Sequence, residues 1–70
     1  MFIYTKHAIG KIDNLGIEKR DIENTVKKGM KWKEGNSEKW HAQMAGIEVV
    51  FMKQERNIFI ITAYFAGRSK

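Results

Sequence analysis

IEVVFMKQERNIFIITAYF, residues 47–65, is the most apolar part of the chain. Two runs rich in Val, Ile and Phe flank the polar break Gln54-Glu55-Arg56-Asn57. The runs lack Gly and Pro and are too short to be two helices, so they predict a β-hairpin. Upstream, Glu38 to Met44 alternates Trp40, Ala42 and Met44 with Lys39, His41 and Gln43. Ala45-Gly46 then suits a two-residue hairpin turn. With that turn, Met44 pairs with Ile47, Ala42 with Val49 and Trp40 with Phe51, while His41 pairs with Val50. Apolar side chains meet apolar ones, and a slip by one residue would scramble both faces. Carried through the polar break, the same register sets Phe51 beside Ile60, Val49 beside Thr62 and Ile47 beside Tyr64.

The N-terminal half reads as two helices. Thr5 suits an N-cap for a helix over Lys6 to Asn14, with Ala8, Ile9, Ile12 and Leu15 on one face and Gly16 at its exit. His7 and Lys11 are four residues apart, hence neighbours at the edge of that stripe. A second helix is predicted over Lys19 to Lys28. Ile17 and Ile22 staple its start, Asp21 sits in the first turn, Lys27 and Lys28 in the last, and Gly29 ends it. Met30 to Glu34 alternates apolar residues with Lys31 and Lys33, which predicts a strand before the Gly35-Asn36-Ser37 turn. Gly67 to Lys70 reads as a frayed basic tail. The expected fold is α+β, a single domain over residues 1–70. An N-terminal αα-hairpin packs on a four-stranded antiparallel β-sheet. Two short helices cover one sheet face; the expected one is the face of Val50 and Ile61, leaving Trp40, Thr62 and Tyr64 open. The uncovered face is apolar enough to call for a partner, a ligand or a second copy.

Composition narrows the function. A 70-residue chain buries only roughly 60% of its unfolded surface. There are no cysteines, hence neither a disulfide nor a thiolate metal site. His7 and His41 form no zinc motif, so no metal and no cofactor are expected. Thirteen Lys and Arg against eight Asp and Glu leave a net charge of +5, which favours a polyanion or an acidic protein. No signal peptide is visible after the short apolar start Met1-Phe2-Ile3-Tyr4. No stretch has the length of a membrane span, and a cytoplasmic protein is the expectation.

The helix opening Thr5-Lys6-His7-Ala8-Ile9-Gly10-Lys11-Ile12, the Gly16-Ile17 turn before Asp21-Ile22, and the closing Thr62-Ala63-Tyr64 resemble the domain of unknown function 4258 family. That family opens on His-Ala-x-x-Arg, and the likeness runs from Tyr4 to Phe65. The resemblance implies a compact fold shared with BrnT-like and RelE-like toxins, which are metal-free endoribonucleases. It carries catalytic roles to His7, Lys11, Thr62 and Tyr64. Lys11 stands where the family has Arg, so the bidentate phosphate fork is lost.

Cleaving RNA without a metal needs a base, an acid and cations on the phosphate. His7 suits proton transfer near neutrality, Lys11 suits the phosphate, and Tyr64 suits proton donation or base stacking. Trp40 and His41 among Lys31, Lys33 and Lys39 form a candidate nucleic-acid strip, with Trp32 as a further stacking residue. Such tryptophans are more often core or dimer anchors. Two functions follow as expectations. One is a toxin-like, metal-independent endoribonuclease or RNA-binding domain, whose partners would be RNA and an antitoxin-like acidic protein. The other is a non-enzymatic homodimer or partner-binding module built on the spare apolar sheet face.

Overall fold

The computed structural model describes residues 1–66; the basic tail expected over 67–70 lies outside them. The chain runs β1 (Phe2–Tyr4), α1 (Lys6–Leu15), α2 (Lys19–Lys28), β2 (Met30–Lys33), β3 (Lys39–Met44), β4 (Ile47–Gln54) and β5 (Asn57–Phe65). The fold is α+β, as expected, with two helices on one sheet. The sheet departs from the expectation. It has five strands in the order β1-β5-β4-β3-β2, and β1 runs parallel to β5. A three-residue run carries too little alternation to announce itself as a strand. Its pairing Phe2↔Ile58, Ile3↔Phe59, Tyr4↔Ile60 takes up backbone groups that β5 would otherwise leave open at the edge.

Local chemistry accounts for the helices. The Thr5 side-chain oxygen accepts a hydrogen bond from the Ala8 amide, and Gly16 closes α1 at φ 72°. The Thr5 hydroxyl also lies 3.1 Å from the Ile60 carbonyl oxygen, tying the helix start to β5. Glu18 precedes α2 without a side-chain cap, and Gly29 ends it. The αα-hairpin is closed by Ile17, which is buried in the core together with Ile22.

Ala45 and Gly46 both have positive φ, 53° and 81°, as a two-residue hairpin turn of the primed kind requires. The β3–β4 register is the one expected, from Met44↔Ile47 through Trp40↔Phe51 to Lys39↔Met52. Between β4 and β5 the expectation holds for Phe51↔Ile60 and Met52↔Phe59, then fails. A bulge at Val50/Phe51 leaves Ile61 extra, so Thr62 pairs with Val50 and Tyr64 with Glu48. An extra residue on one strand flips every side chain beyond it to the other face.

The helices also take the face opposite to the one expected. Ala8, Ile12, Ile17, Ile22 and Val26 pack on Ala42, Val49, Phe51, Ile60 and Ala63, with Trp40, Ile47 and Ile58 at the margin. Val49 rather than Val50 therefore faces the helices. The choice is physical: this face carries the small Ala42 and Ala63, both fully buried, which let α1 and α2 approach closely. The other face keeps Glu48, His41 and Gln43, whose polar groups would be left unpaired under apolar helices. Among the described residues no helix is long and apolar enough to cross a membrane.

Candidate functional site

On the face the helices leave open, alternation places Met30 and Trp32 from β2, Lys39, His41 and Gln43 from β3, Glu48 and Val50 from β4, and Thr62 and Tyr64 from β5. A polar network crosses this face. His41 Nδ1 lies 2.7 Å from Glu48 Oε2, and its Nε2 lies 2.7 Å from Glu34 Oε1. The Tyr64 hydroxyl donates to the same Glu48 Oε2 at 2.8 Å. Trp32 stacks on the His41 ring, with centroids 5.2 Å apart and planes 7° from parallel. One residue from each of β2, β3, β4 and β5, with Glu34 just past β2, builds the cluster.

The geometry sets its charge. A neutral imidazole has one N–H donor, yet both ring nitrogens of His41 face carboxylates; the imidazolium satisfies both. Burial works against the charged ring, but hydrogen bonds to Glu34 and Glu48 and their charges outweigh it, holding His41 above its ordinary value. The indole face favours a cation in the same sense. Burial, the hydrogen bond to Glu48 and the nearby carboxylate charges push the Tyr64 phenol up to about 12, so it remains a neutral donor. Glu48 and His41 are 14% exposed at their side chains and Glu34 is 51% exposed. Glu34 is thus the contact an incoming anion displaces most cheaply. Glu34 and Glu48 engage opposite nitrogens and do not converge; among the described residues no group of three or more His, Cys, Asp or Glu is placed to hold a metal ion.

The residues singled out in the sequence fall in three places. Thr62 and Tyr64 lie on the open face with Lys39 and His41. His7, exposed, and Lys11, half-buried, belong to α1, whose Ala8 and Ile12 pack on the other side of the sheet. The structure therefore does not bring His7 and Lys11 together with Thr62 and Tyr64. Trp40 packs against the core, and Lys31 and Lys33 point to the helix side. There the Lys31 ammonium donates to the Gly29 carbonyl at 3.0 Å. Thr62 and Tyr64 lie on the open side, as expected, but they pair with Val50 and Glu48 rather than with Val49 and Ile47, and Trp40 packs on the helix side instead of with them. The bulge and the reversed face offset each other.

Glu34 and Glu48 are not among the residues the sequence singles out. The signal for Glu48 was present in the β3–β4 register. That register sets it opposite Gln43, hence diagonal to His41 on one face, within reach of a long side chain. Glu34 carried no such signal, because its position beside His41 depends on how β2 turns into β3.

No curated protein and no solved structure matches the chain. Residues 4–65, however, match the family model described as domain of unknown function (DUF4258), and the chain belongs to that family.

Proposed function

We propose that this chain is an RNA-directed domain related in fold to the RelE-like and BrnT-like toxins. In this reading it is a cytoplasmic, metal-independent endoribonuclease whose site is the open sheet face around His41, Glu48 and Tyr64. One observation carries the reading: an imidazole held between two carboxylates shares Glu48 with a phenol, on the uncovered face, beneath an indole. That is a base, an acid and a neutral donor within hydrogen-bond reach of one another.

The reaction runs as follows. Glu48 accepts the proton of an RNA 2′-hydroxyl as its oxygen attacks the adjacent phosphorus. The bond from phosphorus to the 5′-oxygen breaks, and His41 donates its proton to that oxygen. The products are a 2′,3′-cyclic phosphate and a free 5′-hydroxyl. A proton passing from Glu48 to His41 across their 2.7 Å contact resets the pair. Tyr64 donates to a phosphoryl oxygen as charge builds. Trp32 stacks a base, and Lys39 with the net charge of +5 draws the backbone in.

The test is incubation of purified protein with single-stranded RNA in the presence of a chelator, with the product ends identified. His41→Gln and Glu48→Gln lower cleavage by about 10²–10⁴-fold, and Tyr64→Phe lowers it less. His7→Ala and Lys11→Ala serve as the opposing pair. Were they inactive while the His41 and Glu48 variants cleaved normally, the site would lie on α1 instead. Wild type that leaves RNA intact at every ratio excludes catalysis.

A second reading has its own observation. Exposed Met30 and Trp32 and half-buried Ile3, Phe59 and Ile61 leave apolar side chains in reach of a partner beside the polar network. This suits a non-enzymatic module that pairs with an acidic, antitoxin-like protein or with itself. Light scattering across concentration distinguishes the homodimer, and a strict monomer discards it.

A further inference from the structure

Among the described residues β2 ends the sheet, and all four of its residues are exposed. Its hydrogen-bonding pattern can be read from one contact. The Glu34 amide donates to the Lys39 carbonyl at 2.9 Å, which makes Glu34 and Lys39 a hydrogen-bonded pair. Bonded pairs alternate along an antiparallel ladder, so Trp32↔His41 and Met30↔Gln43 are the bonded ones in the β2–β3 register. The N–H and C=O groups of Lys31 and Lys33 therefore point outward, along the free edge of the sheet.

We propose that this edge docks an extended acidic peptide segment of a partner protein as a sixth strand. Its residues opposite Lys31 and Lys33 are acidic, and the residue between them is apolar. The spacing follows from the ladder. Residues directly opposite Lys31 and Lys33 exchange backbone hydrogen bonds with them and project to the same face, where the two ammonium groups sit. The intervening residue projects to the other face, against the exposed rim of Trp32, which is 38% exposed. Main-chain bonds supply affinity, and the alternating pockets supply selectivity.

The same charges reject a second copy of this chain. Two β2 edges meeting antiparallel set lysine against lysine, an unfavourable cross-strand pair, and edge lysines are a device against self-pairing. The opposite edge does not compete: β1 is three residues long, half-buried and without a charged side chain. The proposal is independent of the ribonuclease reading, since it uses the strand edge and not the His41 network.

The test uses the acetylated, amidated peptide TVEVEVT against the ¹⁵N-labelled protein, with TVKVKVT as its counterpart. The acidic peptide slows hydrogen exchange at the Lys31 and Lys33 amides about tenfold or more at saturation. The Trp32 amide, already bonded within the sheet, changes little. TVKVKVT gives no such protection, and a Lys31→Glu/Lys33→Glu double variant reverses the preference. Four outcomes overturn the proposal: no protection at millimolar peptide; equal protection by both peptides; protection of the β1 edge instead; or concentration-dependent protection of Lys31 and Lys33 without peptide, which would assign the edge to a second copy. Protection of the same two amides by a short RNA, with none by the acidic peptide, would assign it to nucleic acid.

Discussion

His41 is the residue on which the site turns, and its charge has a sign that can be checked. With carboxylates at both ring nitrogens, the folded protein holds the imidazolium above its ordinary value. The unfolded chain titrates near the unperturbed value of about 6.5. A raised folded value means the contribution to stability is complete below that pH and fades as pH rises through the folded value. Wild-type melting temperature should therefore fall as pH is raised from 6 towards 9, and His41→Gln should flatten that dependence. Proton NMR of the imidazole provides the direct check: a His41 midpoint at or below about 6.5 would contradict the doubly bonded geometry. The legible part of this residue was its alternation; that two carboxylates close on it was not, because Glu34 arrives from beyond the turn between β2 and β3.

At the scale of elements, two glycines differ in what they tolerate. A Cβ on Gly29 would lie 2.6 Å from the Thr25 carbonyl oxygen and 2.7 Å from that of Gln43. Both are backbone atoms and cannot swing aside, so Gly29 is what lets the end of α2 touch β3. Gly29→Ala should destabilise the fold by about 1–3 kcal/mol. Gly10 lies within α1, and a Cβ there meets nothing within 4 Å. Gly10→Ala should stabilise by about 0.5–1 kcal/mol. Urea titrations of the two variants should move in opposite directions, and a shift of the same sign would refute the packing at the end of α2. The bulge in β5 is the other element-level decision. It turns Thr62 and Tyr64 away from the helices and sets Tyr64 beside Glu48. Without it the phenol would point to the opposite face of the sheet, away from the network.

For the whole molecule, the division of labour between sheet faces predicts an asymmetry. Phe51 is 1% exposed in the core, and Phe51→Ala should cost about 3–5 kcal/mol, enough to unfold much of so small a domain. Trp32→Ala, on the open face, should leave the cooperative melt in place while removing the stack on His41. Circular dichroism melts of the two proteins read this directly; comparable losses would mean the open face is also core. The α+β class, both helices, the β3–β4 hairpin and the family resemblance were legible before the structure. The candidate site was legible only in part. Tyr64 and His41 stood out by type, Glu48 could be placed only through the β3–β4 register, and Glu34 lies past the end of β2, where alternation along the strand no longer places it.

The sequence by itself determined whatever depends on neighbours within a few residues: the Thr5 cap, the Gly16 exit, the Ala45-Gly46 turn and the period-two alternation that set β3 against β4. Side-chain sterics and short-range hydrogen bonds decide these wherever the segment sits. Tertiary structure alone decided that residues 2–4 pair in parallel with β5, that Ile61 is extra, and that the helices cover Val49 and Phe51. Each of these is a competition between distant surfaces for the same partner. The outcome depends on total apolar area buried and on which polar groups can be paired, and neither quantity is written in any one segment.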